Sequence, residues 1–88
     1  MNTLVQCDCC DYFTIAKGGD YEICPVCFWE QDWGGVSKPN QHSAANHGLM
    51  LSEGRRNFQS FGACLERFKN KVISPTERGK YSFQQRIL

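Results

Sequence analysis

The sequence predicts a small α+β domain, and three observations carry that reading. Two Cys-x-x-Cys pairs, Cys7–Cys10 and Cys24–Cys27, flank a run of strand formers broken by Gly18 and Gly19. An apolar stripe at helical spacing follows, from Leu51 to Val72. The chain has 88 residues, which argues for one domain with a modest core, of the size that often needs a metal or a disulfide as a staple.

The first element is a β-hairpin over about residues 5–30. Tyr12, Phe13, Thr14 and Ile15 favour a strand, as do Tyr21 and Ile23. Between them Ala16-Lys17-Gly18-Gly19-Asp20 is turn chemistry, so a cysteine pair is expected at each base of the hairpin. Residues 31–50, rich in Gly, Ser, Asn and His, read as a long irregular loop. A long amphipathic helix is expected over about 51–72, with Leu51, Phe58, Phe61, Leu65, Phe68 and Val72 on one face. Ser52 is its expected N-cap, and Lys69 and Lys71 suit its C-terminal dipole. Gly54 and Gly62 each cost a helix about 1 kcal/mol relative to Ala, which points to close packing at both. In the tail, residues 73–88, Ser74-Pro75-Thr76-Glu77 forms a capping-box pattern. Tyr81, Phe83, Ile87 and Leu88 fit either a strand or a short docked helix.

Composition is that of an ordinary globular chain, 41% hydrophobic and 22% charged. The start, Met1 to Cys7, has no basic region followed by an apolar run, and no stretch approaches the roughly 20 apolar residues of a membrane span. A cytoplasmic setting is therefore expected, where disulfides are rare and Cys-x-x-Cys points to metal or redox chemistry. Net charge is +1. Residues 1–44 hold six acids against Lys17 and Lys38, and residues 45–88 hold eight bases against three acids. Such asymmetry marks either a partner-binding face or two halves that attract each other.

Each Cys-x-x-Cys can offer two thiolates to one ion from a single tight turn, and a hairpin can bring the two turns together. Cys7, Cys10, Cys24 and Cys27 are thus read as a tetrahedral four-thiolate site in a zinc-ribbon- or rubredoxin-like hairpin. Zinc is the expected metal, with iron as the rival because four sulfurs suit both. A closed site of this kind is structural. Asp11 and Phe28 stand where zinc knuckles often carry Gly. Asp tolerates a left-handed backbone and Phe does so less readily, so the second turn is expected to have its own geometry. Cys9 and Cys64 are read as buried thiols, and His42 and His47 as exposed loop histidines. Glu30 and Asp32 are expected to pair with Arg55 or Arg56 rather than to act as acid and base. Trp29 and Trp33 are expected to pack over the knuckles. The candidate partner contacts are Trp29, Glu30, Asp32, Trp33, Arg55 and Arg56.

The segments CDCC, GGDYEICPVCFWEQD and LSEGRRNFQSFGAC, spread over about residues 7–64, resemble the bacterial cysteine-rich CPCC family. The resemblance implies a small metal-binding domain with Cys7, Cys10, Cys24 and Cys27 as ligands. Arg55, Arg56, Asn57, Phe58 and Cys64 also fall on the family pattern. Some members look like immunity proteins lying beside bacterial toxin genes. Three positions depart from the pattern. Asp8 replaces Pro, which loosens the first turn. Met50 replaces the Ser that would begin a capping box, although Glu53 remains. Gly54 replaces Ala. The resulting expectation is a non-enzymatic, zinc-stabilised protein-binding module, most specifically an immunity protein that neutralises a toxin. A nucleic-acid-binding zinc ribbon, using Arg55, Arg56, Arg67, Lys69, Lys71, Arg78 and Lys80, is the alternative. An iron redox protein comes third.

Overall fold

A computed structural model of the chain describes residues 4–16, 21–32 and 34–87. The expected turn at 17–20, Trp33 and Leu88 lie outside the described residues. The observed fold is small and α+β, with two antiparallel hairpins, one helix and the four paired cysteines clustered.

The first hairpin differs from the expected one. Strand β1 (Leu4–Gln6) pairs antiparallel with β2 (Phe13–Ala16), matching Leu4 with Ala16 and Val5 with Ile15, with a register shift before Gln6. The expected partner of β2, residues 21–23, instead folds back on its own sequel: Tyr21 N–H donates to Gln31 O at 2.8 Å, and Ile23 bridges Glu30. The reason is local. Each Cys-x-x-Cys turn closes itself, with Cys7 N–H on Tyr12 O (2.8 Å) and Cys24 N–H on Trp29 O (2.9 Å). The segments leaving a closed turn run alongside each other, so each cysteine pair generates its own antiparallel pairing.

The expected loop over 31–50 holds the second hairpin. Strands β3 (His42–Ser43) and β4 (Leu49–Met50) pair antiparallel around a 3-10 turn at Ala44–Asn46. The reversal uses left-handed backbone at His47 (φ 61°) and Gly48 (φ 82°). Buried Asn46 ties this hairpin to the second cysteine turn, accepting from Glu30 N–H and donating to Glu30 O, both at 2.8 Å. A side-chain amide satisfies both backbone groups of one residue, which is how so short a hairpin holds its place.

Helix α1 (Leu51–Phe61) follows β4 directly and buries Leu51, Gly54 and Phe58. Its N-cap is Met50, not Ser52. Glu53 reaches back to Met50 N–H at 2.9 Å, which is the retained half of the capping box, while Ser52 Oγ donates to Asn40. The helix is half the expected length. Gly62 takes the left-handed conformation (φ 77°) with its N–H on Phe58 O, so it ends the helix instead of sitting inside it. Beyond it the chain folds back over the second cysteine turn. Cys64 N–H donates to Cys27 O (2.8 Å), a 3-10 turn spans Glu66–Lys71, and Ile73 N–H donates to Pro25 O (3.1 Å). The apolar spacing that suggested a longer helix serves this return instead, since Phe68 lies against Phe28 at 4.8 Å between ring centres.

The capping box at Ser74 and Glu77 is present in both directions, at 3.1 and 3.3 Å, and opens a 3-10 turn at Glu77–Lys80. The tail is extended. It runs beside β2, with Phe13 N–H on Ser82 O (2.9 Å) and a bridge between Tyr12 and Phe83. Among the described residues, six of the eleven buried members of the core cluster are cysteines, the others being Ile15, Val26, Trp29, Leu51 and Phe58, with partly buried residues such as Tyr12, Val36 and Ile73 packed around them. So few aliphatic side chains leave the centre of the fold dependent on what holds the sulfurs together. Among the described residues no helix is long and apolar enough to cross a membrane.

Candidate metal centre

The Sγ atoms of Cys7, Cys10, Cys24 and Cys27 all lie within 4.8 Å of one another, and all four residues are buried. Across the two turns, Cys7 and Cys27 are 3.6 Å apart and Cys10 and Cys24 3.7 Å. A tetrahedral ion with metal–sulfur bonds of about 2.3 Å needs sulfur–sulfur edges of about 3.8 Å. A disulfide needs about 2.05 Å, and all six cysteines are free thiols. The donor set therefore fits a tetrahedral metal ion.

The two turns share one geometry, which corrects the expectation of a distinct second turn. Asp11 and Phe28, each following the second cysteine of its pair, both have φ 70°. Asp11 N–H returns to Cys7 O at 3.2 Å and Phe28 N–H to Cys24 O at 2.8 Å. Cys9 N–H points to Cys7 Sγ at 3.4 Å and Val26 N–H to Cys24 Sγ at 3.3 Å. A left-handed backbone at a non-glycine residue costs about 1–2 kcal/mol. Phe28 accepts it because its ring is then laid on Phe68.

Further donors surround the sulfurs. Gln31 Nε2 donates to Cys7 Sγ at 3.3 Å, and Thr14 Oγ1 lies 3.0 Å from Cys24 Sγ. Gln31 Oε1 also accepts from Asp8 N–H at 3.2 Å. The first turn is thus held at the place where Asp8 was expected to loosen it. The hydrogen bond with Cys10 draws the Cys24 thiol down, and the same pairing with Cys24 pushes Cys10 up. Burial pushes Cys27 up. Four adjacent buried thiols do not all ionise unaided, and a cation at their centre is what would let them. Cys9 is buried outside the quartet, under Gly54 of α1, and Cys64 is buried as well. Burial raises both thiols, Cys64 to about 12.

The first turn is braced from outside by Asp11, whose side chain is 4% exposed. Arg55 reaches it from α1 with two nitrogens on two oxygens, both at 2.8 Å. Arg86 reaches it from the tail with its backbone N–H and Nε, also at 2.8 Å. The same guanidiniums bond the turn's carbonyls: Arg55 to Asp8 O (2.8 Å) and Cys9 O (3.3 Å), and Arg86 to Cys7 O (2.8 Å). Burial alone would raise the Asp11 carboxyl, but the bonds from Arg55 and Arg86 hold it below its ordinary value. Here the acidic first half and the basic second half of the sequence meet.

Several expected contacts are placed elsewhere. Trp29 is 2% exposed and lies against Gly54, where a methyl group would come within 2.9 Å of the ring. It packs as a core residue. Arg55 serves Asp11 rather than Glu30 or Asp32. Asp32 accepts a hydrogen bond from Ser43 Oγ, and the backbone of Glu30 is bound by Asn46. Arg56 is exposed, as are His42 and His47. Asp11 and Arg86 were missed by sequence reasoning. Asp11 stood out only as the residue after a ligand, and spacing gave no sign of partners 44 and 75 positions away. Thr14 is marked in the sequence only as a strand former, and Gln31 carries no signal. A model of the cysteine-rich CPCC family matches residues 5–79, while no curated protein and no solved structure matches the chain.

Proposed function

The chain belongs to the cysteine-rich CPCC family, and from that premise we propose that it is a non-enzymatic, zinc-stabilised protein-binding module. The observation that carries the metal half of this reading is the closed quartet of buried sulfurs. Cys7, Cys10, Cys24 and Cys27 would hold Zn²⁺, and the two turns would be the knuckles of a zinc-ribbon-like centre. When bound, the ion supplies positive charge for four thiolates and a crosslink between the turns. Four protein ligands fill a tetrahedral shell, so the role is structural. Elemental analysis of protein purified without added metal tests this. One equivalent of zinc per chain supports it, and a coloured iron protein would replace zinc by iron.

The protein-binding half rests on size and likeness. Some sequences of this family look like immunity proteins, and the specific version proposed is an immunity protein that neutralises a bacterial toxin domain in the cytoplasm. Nucleic-acid binding is the second reading. It is disfavoured because several cations are engaged within the chain: Arg55 with Asp11, Lys69 with Glu66 at 3.7 Å, and Arg78 stacked on Phe58 at 4.9 Å. Co-expression with the proteins encoded beside its gene, followed by pull-down and a growth-rescue assay, is the test. A stoichiometric complex that relieves toxicity supports the immunity version. Survival of toxicity and absence of any complex sinks it.

A further inference from the structure

The protein-binding reading leaves open which face engages a partner and with what chemistry. A cleft of about 410 Å³ lies beside the first cysteine turn, between α1 and the tail. Three guanidiniums line it, those of Arg55, Arg56 and Arg86, against the single carboxylate of Asp11. The lining therefore carries an excess of two positive charges in a chain whose net charge is +1. Asp8 sits close by but is turned away, with its carboxylate oxygen 2.7 Å from the place a Cβ on Gly35 would occupy. Even with Asp8 counted, the cleft stays positive.

The three arginines do different jobs. Arg55 commits both terminal nitrogens to Asp11 and to the carbonyls of Asp8, Cys9 and Arg86. Arg86 directs Nε to Asp11 and Nη2 to Cys7 O. These two set the field of the cleft and are fixed in place. Arg56 is exposed on the next helical position, and no hydrogen bond or ion pair engages it among the described residues. Around it the cleft offers amide groups of Asn40, Gln59 and Gln85. Asn40 uses its oxygen to accept from Ser52, which leaves its NH₂ as a donor. A planar guanidinium beside amide donors in a positive cleft matches a carboxylate, which it can hold by two parallel bonds.

We infer that this cleft is the docking site for an acidic side chain, Asp or Glu, presented by a protein partner, with Arg56 as its principal contact. The inference rests on the protein-binding reading. A carboxylate is favoured over nucleic acid because only one guanidinium here is uncommitted, whereas duplex binding draws on several phosphate contacts made together. The cleft is a pocket for one anion and not a track for many.

The test is a titration of the full-length, metal-loaded chain with a hexaglutamate peptide, followed through the amide signals by ¹⁵N NMR, with hexaglutamine, inorganic phosphate and a short DNA duplex as parallel probes. Saturable shifts centred on Asn40, Arg56 and Gln59 are expected with hexaglutamate and not with hexaglutamine. Arg56→Ala should weaken that binding at least tenfold, Arg56→Lys by less, and Lys71→Ala, outside the cleft, not at all. No saturable shift, or equal loss in the Lys71 variant, overturns the inference. So does a duplex that binds more tightly than the peptide, which would favour nucleic acid. A partner complex that forms equally well with Arg56→Ala removes this cleft and leaves the protein-binding reading standing. Absence of any partner complex counts against that reading itself.

Discussion

Asp11 and Arg55 face each other across the first cysteine turn, two nitrogens on two oxygens at 2.8 Å, although 44 residues separate them. Arg86 completes the arrangement from the other side. A carboxylate this buried is favourable only while both cations remain, and removing its charge in turn leaves two guanidiniums without their partner. Asp11→Asn should destabilise the metal-loaded protein by about 2–3 kcal/mol, less than a fully buried pair because both arginines touch solvent. Arg86→Ala should cost about half as much. Denaturant unfolding measures both, and an Asp11→Asn variant as stable as the parent would show the clamp to be ornamental.

Metal stoichiometry should divide the six cysteines four to two. Serine at Cys7, Cys10, Cys24 or Cys27 is expected to abolish tight, equimolar metal binding, while serine at Cys9 or Cys64 should leave one ion per chain. Elemental analysis of each variant after dialysis gives the answer. Retention of full metal by Cys10→Ser with loss by Cys9→Ser would reverse the ligand assignment.

Removing the ion should release more than the two turns. Arg86 bonds the carbonyl of Cys7, and Cys64 and Ile73 bond the second turn, so the segments at 62–73 and 81–87 rest on backbone that the ion would hold. With a chelator, amide protection should fall in both segments together with the turns, and zinc should restore it. Hydrogen exchange reads this segment by segment. Persistent protection of Cys64 N–H without metal would contradict the coupling.

Gly54 brings α1 onto Trp29 closely enough that a side chain has no room. Gly54→Val should destabilise by about 2–3 kcal/mol through overpacking, despite removing a glycine from a helix. Thermal unfolding of the metal-loaded variant checks it. An unchanged midpoint would mean that the indole yields without cost.

Glu77 tests a local device. Its carboxyl is lowered from the ordinary 4.5 by the bond from Ser74 N–H and by the Ser74 hydroxyl. Since the folded value is the lower one, the contact stabilises the turn above the ordinary value and is lost as pH falls through the folded value. An NMR titration of the Glu77 carboxyl should give a midpoint below 4.5, and Ser74→Ala should move it upward.

What was legible in the sequence was mostly local. The paired cysteines, the Ser74 capping box and the Glu53 half of the box at the start of α1 each depend on residues within a few positions, where spacing and side-chain chemistry decide the outcome. The hairpin partner of β2 differs from the expected one because the turn glycines at 18–19 suggest one connection while the cysteine turns impose another. The helix is shorter than its pattern suggests because Leu65, Phe68 and Val72 continue a helical period after Gly62 has ended the helix. The Asp11 clamp was out of reach because its partners lie in α1 and the tail, and nothing in the pattern marks long-range ion pairs. The equality of the two turns was obscured by Phe28, whose strain is offset by a ring 40 positions away.

The span of the Arg86 bond has a kinetic meaning. Closing the sulfur quartet joins Cys7 to Cys27, a separation of 20, whereas the bond from Arg86 to Cys7 closes a separation of 79. Loop-closure entropy makes the longer closure less favourable by about 1 kcal/mol from an open chain. The shorter loop should therefore form first and present Asp11 in its left-handed place before Arg55 and Arg86 arrive. On this order the fold would assemble from its sulfur centre outward, and the tail would arrive at a surface already made.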